Sequence, residues 1–154
     1  RVFVSDSVDR EKVAAMALGS GVKGMEICDG SDAGKKAGLF AAIAKSGTVT
    51  YELAMMGVPH TIVYRLSALT YALMKRMAKI SMVGLPNICA GRQVVKEFIQ
   101  DNLRPENVAG EIIRIIRDKK YRMAMKKELL KLSRGTAGDV SRKAAAAILK
   151  EALS

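Results

Sequence analysis

A short loop near the middle of the chain carries residues suited to holding a phosphate group. Lys45-Ser46-Gly47-Thr48 lies between an apolar run typical of a buried strand and a segment with helical spacing. Gly47 lets the backbone approach a ligand closely, and a helix that begins here would offer free N–H groups and the positive end of its dipole. Ser46 and Thr48 add hydroxyl donors. The loop is not a Walker loop, which needs Gly, four residues and then Gly-Lys-Ser/Thr.

Glu52 follows Thr48 by one helical turn. A carboxylate in that place can accept hydrogen bonds from two ribose hydroxyls. The same residues allow a plainer interpretation, in which Ser46 or Thr48 only caps the helix and Glu52 is solvated. The residues alone leave both interpretations open.

A second loop with binding chemistry is Leu85-Pro86-Asn87-Ile88-Cys89-Ala90-Gly91-Arg92. Asn87 can donate and accept hydrogen bonds, Gly91 leaves room for a ligand, and Arg92 can hold a phosphate through two parallel hydrogen bonds. Arg65 closes a third predicted strand at the same edge of the sheet. The alternative is a plain turn with exposed arginines, and the residues alone slightly favour that surface interpretation for Arg65 and Arg92.

The elements that must position these loops alternate along the first part of the chain. Short strands are predicted at 2–5, 25–28, 39–44, 61–64 and 82–85, and helices at 9–18, 33–37, 49–56 and 68–79. Helical patterns continue at 94–100, 106–118, 120–133 and 139–152. This order predicts an α/β fold, a Rossmann-like parallel sheet with helices on both faces, whose ligands bind at the carboxyl ends of the strands. We predict a nucleotide-binding α/β core over 1–93 and a helical region over 94–154 that packs on the same domain.

Composition limits the classes of partner. The 154 residues carry a formal net charge of +11, so nucleic acid, acidic lipid head groups and phosphate-bearing substrates are all candidate partners. Aromatic residues make up 5% of the chain and no nucleic-acid-binding motif is recognisable, which argues against nucleic acid. No signal peptide or membrane-spanning run is visible, so we expect any membrane role to be peripheral.

The sequence favours neither a metal site nor a redox site. Cys28 and Cys89 lack metal or redox spacing, and His60 is the one histidine. His60 lies in a β-type run, where we interpret it as a strand residue rather than a ligand. We therefore expect no metal and no cofactor. The chain begins with Arg1 rather than Met, which is typical of a fragment or a processed chain.

A set of ordered motifs resembles one glycosyltransferase family, the lipid-A-disaccharide synthases. The residues that carry the resemblance are Ser46-Gly47-Thr48-Val49-Thr50-Tyr51-Glu52, Gly57-Val58-Pro59, Val63-Tyr64-Arg65-Leu66-Ser67, Thr70-Tyr71, Leu85-Pro86-Asn87-Ile88 and Ala90-Gly91-Arg92. Their order and spacing are more specific than any one motif. Weaker similarity extends over nearly the whole chain.

The resemblance implies the C-terminal, donor-binding lobe of a two-lobed GT-B enzyme. That family transfers diacylglucosamine from UDP-2,3-diacylglucosamine to 2,3-diacylglucosamine 1-phosphate in lipid A biosynthesis, without a bound metal. By motif, Glu52 would meet the uridine ribose, Ser46, Gly47 and Thr48 would lie near the diphosphate, and Asn87 and Arg92 would lie by the donor. A cytoplasmic enzyme on the inner face of the inner membrane of Gram-negative bacteria is implied, as is a homodimer formed by exchange of C-terminal parts.

The chain departs from the family pattern at its beginning. The acceptor lobe with its general base is missing, as is the Gly-Ser-Arg loop that opens the nucleotide lobe. We therefore expect no catalytic residue in this chain, weak UDP binding and little or no activity in isolation. Two alternatives stay open: the donor lobe of another GT-B enzyme, such as a peptidoglycan-lipid N-acetylglucosaminyltransferase, and a basic nucleic-acid-binding module.

Overall fold

A computed structural model describes residues 1–67 and 82–136, which divide into two compact units after Gly38. The first unit contains β1 (Val2–Val4), α1 (Arg10–Gly19), β2 (Ile27–Asp29) and α2 (Ala33–Ala37). β1 and β2 pair in parallel, with Val2 opposite Ile27. Both helices begin at an aspartate cap, because the side chain of Asp9 accepts from the N–H of Lys12 at 3.1 Å and that of Asp32 accepts from the N–H of Lys35 at 2.9 Å.

The second unit is built on a parallel three-stranded sheet in the order β3-β4-β5. Its strands are β3 (Ala42–Lys45), β4 (His60–Tyr64) and β5 (Glu97–Ile99), and its helices are α3 (Thr48–Met55), α4 (Leu85–Ala90), α5 (Pro105–Arg117) and α6 (Lys119–Thr136). A single 3-10 turn, Gln100–Asn102, follows β5. Ala42 lies opposite His60 in the ladder, and Ile62 lies opposite Glu97.

The core of this second unit lies where the helices meet the central strand. Ile62 of β4 is fully buried with Ile115 of α5 and Leu129 of α6, and Ala54 of α3 closes the cluster. The apolar positions of α5 recur at helical spacing, which turns Val108 and Ile115 inward. These contacts fix α3, and with it the loop that precedes α3, against the sheet.

The predicted class, α/β with parallel strands and flanking helices, is confirmed. Most predicted elements occur within a few residues of their expected bounds. The predicted helices at 68–79 and 139–152 lie outside the described residues.

Two predicted elements are wrong. The strand expected at 82–85 does not form, because Gly84 ends an extended segment and α4 begins at Leu85 with Pro86 in its first turn. The helix expected at 94–100 is instead the strand β5, whose pairing with β4 buries Phe98. The sheet of the second unit therefore extends past residue 93, the boundary that the sequence suggested for the α/β core.

Candidate functional site

The loop between β3 and α3 has an unusual backbone at its glycine. β3 ends at Lys45, and the N–H of Ser46 still donates to the carbonyl of Val63 at 3.0 Å. Gly47 then adopts φ 155° and ψ −169°, a region that glycine almost alone occupies. Apart from Gly47 and its neighbours Ser46 and Thr48, no described residue has an atom within 4 Å of the place where a Cβ on Gly47 would be. Among the described residues, the loop therefore leaves space beside Gly47, directly before the first turn of α3.

The first turn of α3 supplies backbone donors next to Gly47. Gly47 is the N-cap of α3, and its carbonyl accepts from Thr50 through the N–H at 3.2 Å and the hydroxyl at 2.7 Å. The N–H groups of Thr48 and Val49 stand before any intrahelical acceptor, and the helix dipole adds positive potential at this end. Thr48 is exposed. This arrangement can bind an anion through backbone N–H groups and the Thr48 hydroxyl.

The hydroxyl of Ser46, which the sequence suggested as a donor to a phosphate, donates a hydrogen bond within the fold instead. Its Oγ donates to the carbonyl of Val83 at 3.1 Å. The proton of Ser46 is thereby committed to the segment that leads into α4, and the oxygen keeps its lone pairs. Ser46 thereby connects the first loop to the segment that directly precedes the second.

Glu52 and Arg65 are both exposed. Glu52 lies on α3 one turn beyond Thr48, as its spacing predicted. Arg65 directly follows β4, where a side-chain amide holds the chain: Gln100 accepts from the N–H of Leu66 at 2.9 Å and donates to the carbonyl of Leu66 at 3.1 Å. Gln100 is the one non-glycine residue with positive φ in the described part of the chain, a feature that its sequence context did not signal.

Asn87 is buried completely, at 0% exposure. Its Nδ2 donates to the carbonyl of Val95 at 2.8 Å and to Oε1 of Glu97 at 2.6 Å, and its Oδ1 accepts from the N–H groups of Val94 at 2.7 Å and Val95 at 2.9 Å. An asparagine amide has two donors and two lone pairs. These four bonds use all of them, so the amide has no capacity left for a ligand.

Gly91 and Arg92 lie at the far end of α4. Gly91 ends the helix in the left-handed conformation, at φ 64°. Arg92 pairs with Glu128 of α6, and its side chain is 57% exposed. Glu128 also accepts from Lys131 at 2.6 Å, and this bond, with the nearby Arg92, lowers the pKa of the Glu128 carboxyl. The structure thus connects Arg92 to α6 and connects Ser46 to the start of α4.

His60 lies in β4, which confirms its interpretation as a strand residue. The ring is fully buried, with Nδ1 2.8 Å from the carbonyl oxygen of Val58 and Nε2 without a partner among the described residues. Burial lowers the pKa of His60, since a charged ring would lose its hydration there. The ring is therefore neutral in the folded chain near neutral pH.

Neither a candidate metal centre nor a membrane-spanning helix occurs in the part of the chain that the structure describes. Within 1–67 and 82–136, no group of three or more His, Cys, Asp or Glu side chains could hold a metal ion. Over the same residues, no helix is long and apolar enough to cross a membrane.

Comparison with known proteins identifies the family of this chain. A family model described as lipid-A-disaccharide synthetase matches residues 30–151, which include both loops. The chain belongs to the lipid-A-disaccharide synthetase family. Among lipid-A-disaccharide synthases, that of Trichlorobacter lovleyi is 48% identical over 89 residues, which is 58% of this chain and 23% of the relative.

Two further members of the lipid-A-disaccharide synthetase family show the same partial coverage. The Geobacter sulfurreducens protein is 41% identical over 74% of this chain and 27% of its own length. The Chromobacterium violaceum protein is 42% identical over 71% of this chain and 28% of its own length. The chain therefore spans about a quarter of the length of these relatives.

Proposed function

We propose that this chain is the donor-binding part of a lipid-A-disaccharide synthase and that it holds the UDP portion of a UDP-sugar. The observation that carries the proposal is the open backbone of Gly47 at the N-terminus of α3, in a chain of this family. A diphosphate placed there would accept hydrogen bonds from the first-turn N–H groups of α3 and from the hydroxyl of Thr48. The family match supports the sugar nucleotide over other phosphate ligands.

Glu52 is the residue we assign to the ribose. A uridine whose diphosphate lies at the beginning of α3 would extend along that helix, and Glu52 is exposed one turn further on. A carboxylate can accept from both ribose hydroxyls at once. Arg65, exposed after β4, is the cation we assign to the diphosphate, whereas Arg92 would have to leave Glu128 to reach it.

The chemical task of this part of the enzyme is to stabilise the leaving group. In the proposed reaction, a hydroxyl of diacylglucosamine 1-phosphate attacks the anomeric carbon of UDP-2,3-diacylglucosamine, and UDP departs. Fixed N–H groups aimed at the diphosphate would stabilise the negative charge that grows there. We assign no catalytic base to this chain.

We also propose that this part of the enzyme lies against an anionic membrane surface, on which acylated substrates would be found. The basic helix α6 supports this, since it carries seven Lys or Arg residues and one Glu. Basic segments are attracted to anionic head groups. Binding of the chain to vesicles of anionic phospholipid, but not of zwitterionic phospholipid, tests the idea.

A calorimetric titration of the chain with UDP tests the proposed function, with Glu52→Ala as the variant and Glu106→Ala as its control. Glu106 is also an exposed glutamate near the beginning of a helix, but on α5. We expect the wild-type chain and Glu106→Ala to bind UDP, and Glu52→Ala to bind at least about tenfold less tightly because two hydrogen bonds to a charged group are lost. Equal binding by all three proteins would remove Glu52 from the site, and no binding by the wild type would refute the proposal.

Calorimetric titrations with UDP-diacylglucosamine and with UDP-N-acetylglucosamine separate this function from that of another GT-B donor lobe. A preference for UDP-diacylglucosamine over UDP-N-acetylglucosamine supports lipid A biosynthesis. The reverse preference favours a peptidoglycan-lipid glycosyltransferase.

A further inference from the structure

A partly buried carboxylate organises the segment that faces the candidate site. Glu97 begins β5, and its side chain accepts three hydrogen bonds from one short stretch of chain. The N–H of Val83 donates at 2.8 Å, the N–H of Gly84 at 2.9 Å and the amide of Asn87 at 2.6 Å. We call these four residues the Glu97 cluster.

The chemistry of the Glu97 cluster requires a carboxylate. All three partners are donors, and a carboxylate offers only lone pairs. A glutamine of the same shape would turn one NH2 group toward a backbone N–H and leave that donor without an acceptor. Hydrogen bonds to a charged acceptor are also about twice as strong as neutral ones, which suits a segment that lies outside the described strands.

The Glu97 cluster is also tightly packed. A Cβ on Gly84 would collide with Cδ1 of Ile62 and would lie 2.9 Å from Oε1 of Glu97. Ile62 is a fully buried residue of the central strand. The segment is therefore pressed against the sheet at Gly84 while Glu97 holds its N–H groups.

Val83 connects the Glu97 cluster to the proposed diphosphate loop. Its N–H is held by Glu97, and its carbonyl accepts the hydroxyl proton of Ser46 at 3.1 Å. Ser46 in turn precedes Gly47, whose conformation opens the space before α3. Only two hydrogen bonds and one residue, Val83, separate the Glu97 carboxylate from Ser46.

We propose that Glu97 is a positioning residue for the diphosphate site, acting through Val83 and Ser46. This inference rests on the proposed function, because it concerns the loop that would bind UDP. Glu97 holds Val83 in place, Val83 holds the Ser46 hydroxyl, and the loop keeps the conformation in which the N–H groups of α3 face the ligand. Glu97 itself makes no contact with the ligand in this scheme.

The positioning role is tested in the 154-residue chain by comparing substitutions of Glu97 and Glu111, two glutamates whose side chains bond within the fold. Glu97→Gln breaks the acceptor pattern of the Glu97 cluster. Glu111→Gln is the control, since Glu111 is 3% exposed and contacts neither loop: it accepts from Tyr121 on α6 and pairs with Lys96 at 3.7 Å. Affinity for UDP is measured by calorimetry, and thermal unfolding is measured on the same samples, so that each affinity is compared between variants of known stability.

We expect Glu97→Gln to weaken UDP binding about tenfold and Glu111→Gln to leave it unchanged at a similar loss of stability. Glu97→Asp, which keeps the charge but cannot span all three donors, is expected to fall in between, and it replaces Glu97→Gln if that variant does not fold. In a double-mutant cycle, Ser46→Ala and Glu97→Gln are expected to be non-additive, because both act on Val83.

The possible outcomes distinguish a failure of the positioning role of Glu97 from a failure of the proposed function. If the wild type binds UDP and Glu97→Gln binds equally well, the positioning role is wrong and the proposed function stands. If Glu111→Gln loses affinity as much as Glu97→Gln, or if the cycle is additive, general loosening replaces positioning. If the wild type does not bind UDP, the proposed function fails first and the positioning role fails with it.

Discussion

Replacing Asn87 with aspartate tests the hydrogen bonds that the buried amide makes with Val95 and Glu97. The change keeps the shape and the Oδ1 acceptor that serves Val94 and Val95. It replaces Nδ2, which donates to the Val95 carbonyl at 2.8 Å and to Glu97 at 2.6 Å, with an oxygen. Two carboxylates would then face each other at hydrogen-bond distance, one of them at a position with 0% exposure and the other partly buried.

The expected loss of stability at pH 7 follows from these contacts. A neutral hydrogen bond is worth about 1 kcal/mol and one to a charged group about 2 kcal/mol, and repulsion between the carboxylates adds to their loss. We expect Asn87→Asp to lower the free energy of unfolding by about 4 kcal/mol, a large share of the roughly 5–15 kcal/mol typical of a folded domain.

The loss should depend on pH, and its sign can be worked out. Two carboxylates in contact cannot both ionise easily, so in the folded Asn87→Asp variant the introduced carboxyl keeps its proton with a raised pKa. The folded variant then binds that proton more tightly than the unfolded chain does. Its stability relative to the wild type therefore rises as the pH falls through the raised pKa, and the proton restores a donor between the two groups.

Urea unfolding of Asn87→Asp and of the wild type at matched pH values between about 7 and 4.5 measures this difference. Comparison at equal pH cancels the groups that the two proteins share. Asn107→Asp is the control, because Asn107 is exposed and donates only to the carbonyl of Asn102 at 3.1 Å. A deficit that does not change with pH, or one as small as that of Asn107→Asp, would show that the buried pairing with Glu97 is not as described.

Three further predictions concern packing and titration. Gly84→Ala should destabilise the chain by about 2 kcal/mol, since the new methyl group collides with Ile62; urea unfolding against a Gly110→Ala control, where no clash occurs, measures it. The depressed pKa of His60 predicts that stability falls as the pH drops below about 6.5, because only the unfolded ring readily takes up a proton; a His60→Gln variant should lack this slope. Tyr121 should ionise only near its raised pKa of about 12, which ultraviolet titration of the wild type against Tyr121→Phe can detect.

The sequence was sufficient to predict the β3–α3 loop. An apolar run followed by Ser46-Gly47-Thr48 and a helical pattern has few physical solutions, because a glycine before a helix marks the turn and an apolar run before it suits a strand. The structure places β3, Gly47 and α3 within a few residues of the expected positions. Local signals were sufficient for these positions, but the burial expected of the apolar run is wrong: β3 is an edge strand of its three-stranded sheet, with Ala44 buried and Ile43 exposed.

β5 could not be predicted by the same means. Residues 94–100 carry Val95 and Phe98 three positions apart, a spacing that also suits a helix face. Pairing with β4 makes this segment a strand rather than a helix, since Ile62 and Val63 need a partner strand on that side and the segment after α4 supplies it. Such a contact joins residues more than thirty positions apart, and periodicity in a short window does not contain it.

Burial, not residue type, separates the polar residues that hold the fold from those that are exposed to a ligand. The sequence alone did not predict this difference. Asn87 and Glu52 both have the hydrogen-bonding groups that a sugar nucleotide could use. Yet all four hydrogen bonds of Asn87 are made within the protein, whereas Glu52 is exposed on α3. A buried polar group must find partners within the fold, so its partners reveal what it positions. By that criterion Asn87 and Glu97 hold the segments around the loops, and the exposed residues Gly47 and Thr48 are left to meet the proposed ligand.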